Sequence, residues 1–181
     1  FDTGYRATLN PLIIASGKNS SLPHAQVTKR KFADGDMITV DLTLRYKGYV
    51  SDATRTFGLG SISKEAKNVY EIVKESQKAG LKAVRPQKTC ASVDDVCRKI
   101  IDYNNYGHYF IHSTGHGIGL DVHENPNISS TNKEKLKKDM AITVEPGIYI
   151  PKKFGVRIED SLIVKDRADV MHEFTKDLII I

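Results

Sequence analysis

Within the run Met37–Tyr46, apolar and polar residues alternate from Ile38 onward. Ile38, Val40, Leu42, Leu44 and Tyr46 fall on one parity, and Thr39, Asp41, Thr43 and Arg45 on the other. A period of two belongs to a β-strand. Lys47-Gly48 then makes a two-residue turn, and Tyr49–Phe57 is the returning strand. So short a turn leaves the pairing little freedom: Tyr46 faces Tyr49, Thr43 faces Asp52 and Asp41 faces Thr54. Asp41 and Asp52 become diagonal neighbours on one face, with backbones about 7–8 Å apart. The apolar parity is expected to pack on a core while Asp41 points into the opposite space.

A second pair of acids repeats the pattern. Glu145, in Thr143-Val144-Glu145-Pro146-Gly147, and Glu159, in Gly155-Val156-Arg157-Ile158-Glu159-Asp160, are equidistant from Lys152. A hairpin around Pro151-Lys152-Lys153 would set them opposite each other, with Pro146-Gly147 as a place for a bulge. One histidine, His116, sits in Thr114-Gly115-His116-Gly117-Ile118-Gly119. As a strand this segment places His112, Thr114, His116 and Ile118 on one face. His123 has the opposite parity and joins them only if the chain bends near Leu120-Asp121. The glycines allow close backbone approach. Their spacing also suits a phosphate cradle, although no strong helix signal follows.

Any one of these acids could be an exposed salt-bridge partner. Together, Asp41, Asp52, His116, Glu145 and Glu159 form an oxygen-rich set with one imidazole and no thiolate, the donor chemistry of hard or borderline divalent metals. Unpaired carboxylates are poor core residues, which further favours a site.

Between the two hairpins lie two helical segments in residues 63–103. Ser63 is a candidate N-cap, Ala66, Val69, Tyr70, Val73, Gly80, Leu81 and Val84 recur at helical spacing, and Pro86 ends the run. Ser92-Val93-Asp94-Asp95 offers a second N-cap, followed by Val96, Cys97, Ile100 and Ile101. A short basic helix is expected around Lys133–Lys138. The net charge of +5 is spread over such solvated faces, with no aromatic interleaving to suggest nucleic acid. No apolar run approaches the roughly 20 residues of a membrane span. Cys90 and Cys97 lack metal-ligand spacing, so reduced, structural thiols and a cytoplasmic location are expected. With 181 residues, the chain fits one domain.

At these residues the chain resembles the pita-bread metallopeptidases of the M24 type, and its Xaa-Pro dipeptidase (prolidase) and aminopeptidase P branch most of all. The phrases that carry the resemblance are Ser16-Gly17-Lys18-Asn19, Pro23-His24, Val40-Asp41, Gly48-Tyr49-Val50-Ser51-Asp52-Ala53-Thr54-Arg55-Thr56-Phe57, His112–Glu124, Val144-Glu145-Pro146-Gly147 and Gly155–Asp160. They run in order over essentially the whole chain. The resemblance implies an α+β pita-bread fold, an antiparallel curved sheet with helices on its outer face. Residues 1–181 would be its catalytic domain, truncated so that the first helix pair and the separate N-terminal domain are missing. An apolar sheet surface should then be left uncovered.

The resemblance also implies a chemistry: hydrolysis of Xaa-Pro bonds by a hydroxide held between two divalent ions, Mn²⁺ or Co²⁺, with Zn²⁺ or Fe²⁺ as substitutes. Asp41, Asp52, His116, Glu145 and Glu159 would be the ligands, with Asp52 and Glu159 bridging. Glu145 would also move a proton to the leaving nitrogen, His123 would stabilise the oxyanion and His24 would contact substrate near the scissile bond. His112 would line the proline pocket, and Arg157 would orient the acids through a bidentate contact. The implied partners are a proline-containing peptide and, in the full-length protein, a second copy forming a homodimer; neither nucleic acid nor membrane is expected. A non-catalytic binding module and a methionine aminopeptidase are the competing readings. Thr43 departs from the pattern, since relatives often carry glycine there.

Overall fold

The structure, a computed structural model, describes residues 5–7 and 12–181. A block of strands and turns is expected over residues 10–57, and its first two positions lie outside the described residues. Four strands come first: β1 (Tyr5–Ala7), β2 (Ile13–Ser16), β3 (Met37–Tyr46) and β4 (Tyr49–Gly58). Helices α1 (Lys64–Ala83) and α2 (Cys90–Tyr103) follow. The remaining strands are β5 (Gly115–Gly117), β6 (Glu124–Ile128), β7 (Ala141–Val144), β8 (Gly147–Ile150), β9 (Phe154–Arg157), β10 (Asp160–Val164) and β11 (Ala168–Val170).

The first hairpin has the register read from its turn. Lys47 (φ 49°) and Gly48 (φ 91°) are both left-handed, as a type I′ turn requires. The pairs run Tyr46–Tyr49, Thr43–Asp52 and Asp41–Thr54. Strands β1 and β2 both pair with β3, which β4 also pairs.

The burial of the two faces is the reverse of expectation. Of the apolar parity only Ile38 is buried; Leu42 is 39% exposed and Tyr46 41%. Neighbouring Leu12 and Ile14 are 40% and 54% exposed, so this sheet carries an uncovered apolar surface. The buried members of β3 include Thr39 and Thr43, because β9 crosses their face. Thr56 Oγ1 donates to Arg157 O (2.9 Å), and Thr39 Oγ1 reaches Gly155 O at 3.5 Å. Hydroxyls satisfied in this way can be buried at little cost.

The apolar core lies elsewhere, where Val69, Tyr70 and Val73 of α1 and Val93, Cys97 and Ile101 of α2 meet Ile142, Val144, Ile148, Val156, Ile158 and Leu162. Both cysteines are free and buried. Ser63 caps α1, accepting from Ala66 N. The cap of α2 is Thr89 rather than Ser92: its side chain accepts from Ser92 N at 3.1 Å and the helix opens at Cys90. The basic segment Lys133–Lys138 is not helical. Its backbone bonds to the entry of α2 through Cys90 N to Glu134 O (2.9 Å) and Leu136 N to Lys88 O (2.8 Å), and Leu136 is fully buried. Among the described residues no helix is long and apolar enough to cross a membrane.

The second hairpin is symmetric about Lys152. Strands β8 and β9 pair from Ile150–Phe154 to Gly147–Arg157, and β7 and β10 resume the same register at Val144–Asp160. Between the two ladders each strand leaves a gap, residues 145–146 and 158–159. Pro146 has no N–H to offer there. Glu145 N instead donates to Thr114 O (2.7 Å), and Glu159 N to Thr54 O (3.1 Å). Both glutamates thus leave their own hairpin and bind neighbouring chain.

Beside the gap, fully buried Asp160 accepts from Arg55 (2.7 Å), Lys176 (2.7 Å) and Gln77 Nε2 (2.8 Å). Burial works to raise its pKa, but bonds and charges of Lys176 and Arg55 prevail and hold it below the ordinary value. A carboxylate depressed in the fold stabilises it above the unfolded pKa of about 3.9, and that contribution disappears as pH falls through the lower folded value. Asp160→Asn should therefore cost about 3–5 kcal/mol near neutrality. In urea unfolding followed against pH, the gap from wild type should narrow below about pH 3.9; a gap that stays constant would show that charge is not the cause. In the same assay Thr89→Ala should cost about 1 kcal/mol, with a clearly smaller loss for Ser92→Ala.

Candidate metal centre

The hairpins place their acids in one cavity of about 920 Å³, lined by His24, Asp41, Asp52, His112, His116, His123, Glu145, Arg157 and Glu159. Asp41 comes from β3, Asp52 from β4 and His116 from β5, while Glu145 and Glu159 come from the two sides of the gap. Donor atoms of Asp52, His116 and Glu159 all lie within 4.8 Å of one another. Asp41 and Glu145 stand beside this group in ion pairs: Asp41 Oδ2 is 2.6 Å from Arg157 Nη2, and Glu145 Oε1 is 3.1 Å from His116 Nε2.

Close backbone approach brings β5 to its position. A Cβ on Gly115 would lie 2.0 Å from Thr143 O, and one on Gly117 2.3 Å from Asn125 O. Residues 119–123 then bend, which carries solvent-exposed His123 back to the site, its ring 4.4 Å from that of His116. Thr114 leaves the expected face: its hydroxyl donates to buried Asp94 on α2. The strand-parity reading fails there because Asp94 also takes the Thr114 N–H.

Tautomers follow from the acceptors. His116 Nδ1 lies 2.9 Å from Gly117 O, and a carbonyl only accepts, so Nδ1 carries a proton; Nε2 faces the acids and donates to Glu145 when the ring is protonated. His112 Nδ1 likewise donates to Ser113 O (2.7 Å), so its Nε2 accepts from Tyr149 OH (2.9 Å). Tyr149 OH in turn accepts from Arg157 Nη1 (2.8 Å). Arg157 does not make the expected bidentate contact. Its fork is divided between Asp41, Tyr149, Thr54 Oγ1 (3.2 Å) and Pro23 O (3.2 Å), since no single carboxylate lies along its edge. The Pro23 bond ties the loop bearing His24, an exposed residue at the cavity wall, to the acids.

The charges in the cavity are unevenly compensated. Burial, then the charges of Asp41 and Glu145, push Asp52 up to about 7. Burial and the same crowd of carboxylates, Asp52 foremost, raise Glu159 well above its usual range. Glu145 moves the other way: burial opposes ionisation, but the hydrogen bond from His116 and the charges of His112, His116 and Arg157 hold it at about 2. Burial lowers the pKa of His112 and of His123. Two buried carboxylate oxygens, Asp41 Oδ1 and Glu159 Oε1, have no hydrogen-bond partner. Buried acceptors are almost always satisfied, and a divalent cation would satisfy both. The donor set fits such an ion.

Hydroxyls around the acids went unread in the sequence. Thr54 Oγ1 donates to Glu159 Oε2 (2.6 Å), Thr143 Oγ1 to Glu145 Oε1 (3.2 Å) and Thr43 Oγ1 to Asp52 Oδ1 (3.2 Å). Strand parity held a signal for two of them, since Thr43 shares a face with Asp41, and Thr54 with Asp52. Tyr149 had no such signal. His172 places Nε2 3.0 Å from the backbone oxygen of Asp52.

Comparison with known proteins gives the arrangement a lineage. The model of metallopeptidase family M24 matches residues 2–166. An Xaa-Pro dipeptidase of Pyrococcus furiosus is 47% identical over 156 residues, covering 86% of this chain and 45% of that protein. Among solved structures, an Xaa-Pro dipeptidase from Bacillus anthracis matches with a TM-score of 0.92 at 44% identity, over 94% of this chain and 48% of its own. An X-Pro aminopeptidase from Thermotoga maritima matches with a TM-score of 0.91 at 38% identity, over 94% and 49%. The chain spans about half the length of these relatives. Its fold is the α+β pita-bread fold, and the chain belongs to metallopeptidase family M24.

Proposed function

We propose that this chain carries the dinuclear metal centre of a peptidase that hydrolyses Xaa-Pro bonds, as a dipeptidase or an aminopeptidase. One observation carries the reading: carboxylates from both hairpins and one imidazole meet in a cavity where two buried carboxylate oxygens lack partners. Asp41 would serve one ion, His116 and Glu145 the other, and Asp52 with Glu159 both. Mn²⁺ or Co²⁺ suits so many oxygens and a single imidazole. Bound there, two such ions supply an activated water and polarise the scissile carbonyl.

The chain's own residues do the rest. Glu145 is the proton carrier: it reaches the cavity and is held through one oxygen, Oε1, by both His116 and Thr143. The imino nitrogen of proline leaves poorly unless protonated, so such a carrier is needed. His123 stands ring to ring with His116 at the open side of the site, a position for a donor to the developing oxyanion. His24, also in the cavity lining, contacts substrate near the same bond. His112, edge-on to Phe110 (5.3 Å) and Tyr149 (5.3 Å), forms an aromatic wall of the kind a proline ring packs against. Arg157 holds Asp41 in place. The names of the relatives support proline at the cleaved bond.

Xaa-Pro dipeptides, Xaa-Pro-Yaa tripeptides and Met-initiated peptides should be assayed with Mn²⁺ and with a chelator. Proline substrates should be cleaved with Mn²⁺ only. Cleavage of Met-initiated peptides alone would reject the proline reading, and chelator-resistant cleavage would reject the metal one. Asp52→Asn should lower Mn²⁺ affinity by at least about 100-fold, the upper end of the cost of losing even an outer partner. Without metal, the same variant should unfold at higher urea, by roughly 1–2 kcal/mol, since it relieves like-charge crowding. A destabilised metal-free variant would contradict the charge analysis.

A further inference from the structure

We propose that Thr43 is a positioning residue that makes the two ion sites unequal by fixing which oxygen of Asp52 serves which ion. The inference rests on the dinuclear reading above. Thr43 and Asp52 are direct partners in the β3–β4 ladder. A two-residue turn closes a hydrogen-bonded pair at Tyr46–Tyr49, and pair types alternate along an antiparallel ladder. Counting back from the turn makes Thr43–Asp52 a non-hydrogen-bonded pair, the kind with the closer side chains. The hydroxyl of buried Thr43 accordingly donates to Asp52 Oδ1 at 3.2 Å.

The other oxygen, Oδ2, is the one near His116, 3.9 Å from Nε2. The carboxylate is thereby oriented: Oδ2 turns toward His116, and Oδ1, held by Thr43, would serve the ion that Asp41 shares. Of the three hydroxyls that serve the acids, Thr54 also accepts from Arg157 Nε (3.2 Å) and Thr143 from the His116 backbone N–H (3.1 Å), so both are braced by the scaffold. Only Thr43 among them lines the cavity. Its hydroxyl would therefore act at the cavity that is to hold the ions, on one oxygen of one bridging ligand. Without it, Asp52 must be ordered by the ion on the Asp41 side.

Mn²⁺ titration tests this with Thr43→Ala and Thr43→Ser, a pair that differs only in the hydroxyl. Free Mn²⁺ is counted from its electron paramagnetic resonance spectrum, and heat of binding is followed in parallel. Wild type should take up two equivalents. Thr43→Ala should bind one of them about 10- to 100-fold more weakly and lose the spin-coupled signal of the ion pair at low loading. Thr43→Ser should behave as wild type. Two wild-type equivalents in a folded Thr43→Ala variant would overturn the proposal, and so would equal weakening of both, or failure of Thr43→Ser to restore binding. A wild-type chain that takes up no Mn²⁺ would instead bring down the dinuclear reading itself.

Discussion

The gap in the second hairpin is the feature on which the rest depends. A continuous ladder through Glu145 and Glu159 would have used their backbone groups within the hairpin. The break sends Glu145 N to Thr114 and Glu159 N to Thr54 instead. Two separate sheets are joined by those bonds, and each brings its own ligand-type residue: His116 lies just beyond Thr114, and Asp52 shares a face with Thr54. Register is conserved across the gap, so the glutamates remain opposed while their backbones face outward. Proline at 146 makes the break chemically necessary on one strand.

Hairpin registers were legible because they depend on local chemistry. A two-residue turn and a symmetric placement about Lys152 are properties of neighbouring residues, and both survived into the structure. Burial of the faces was not legible in the same way. Alternation in Met37–Tyr46 marks two faces without saying which one a distant strand will cover, and β9 covers the polar one. The lysines at 133–138 have helical spacing, yet Leu136 and the backbone are taken by the entry to α2, a tertiary demand that outranks propensity. That contact also places the α2 cap at Thr89, ahead of the signal at Ser92.

The candidate site divides along similar lines. Its acids and His116 could be found because they recur in phrases with distinctive spacing. Of their supporting groups, Thr43 and Thr54 had a parity signal, whereas Tyr149 and Thr143 had none, because they reach the site through pairings set by the whole fold. Arg157 illustrates the difference. Its presence near the acids was expected, but its fork serves Asp41, Thr54, Tyr149 and Pro23 at once. It acts as a junction between the acids, the aromatic wall and the loop of His24, so a lysine, with one point charge, could not replace it.

Charge compensation explains why the acids are arranged as they are. Protein cations answer the outer acids: Arg157 pairs with Asp41 and His116 with Glu145. Among the described residues, Asp52 and Glu159, buried between them, take side-chain hydrogen bonds only from hydroxyls, those of Thr43 and Thr54. Neutral donors offset part of a buried charge and leave most of it, which is why these two carry the upward shifts. The pair proposed to bridge the ions is thus the pair the polypeptide leaves uncompensated. A dication placed between them would supply the positive charge these two carboxylates lack, in exchange for the protons that their raised pKa values retain. Metal uptake at the proposed centre should therefore release protons and weaken as pH falls.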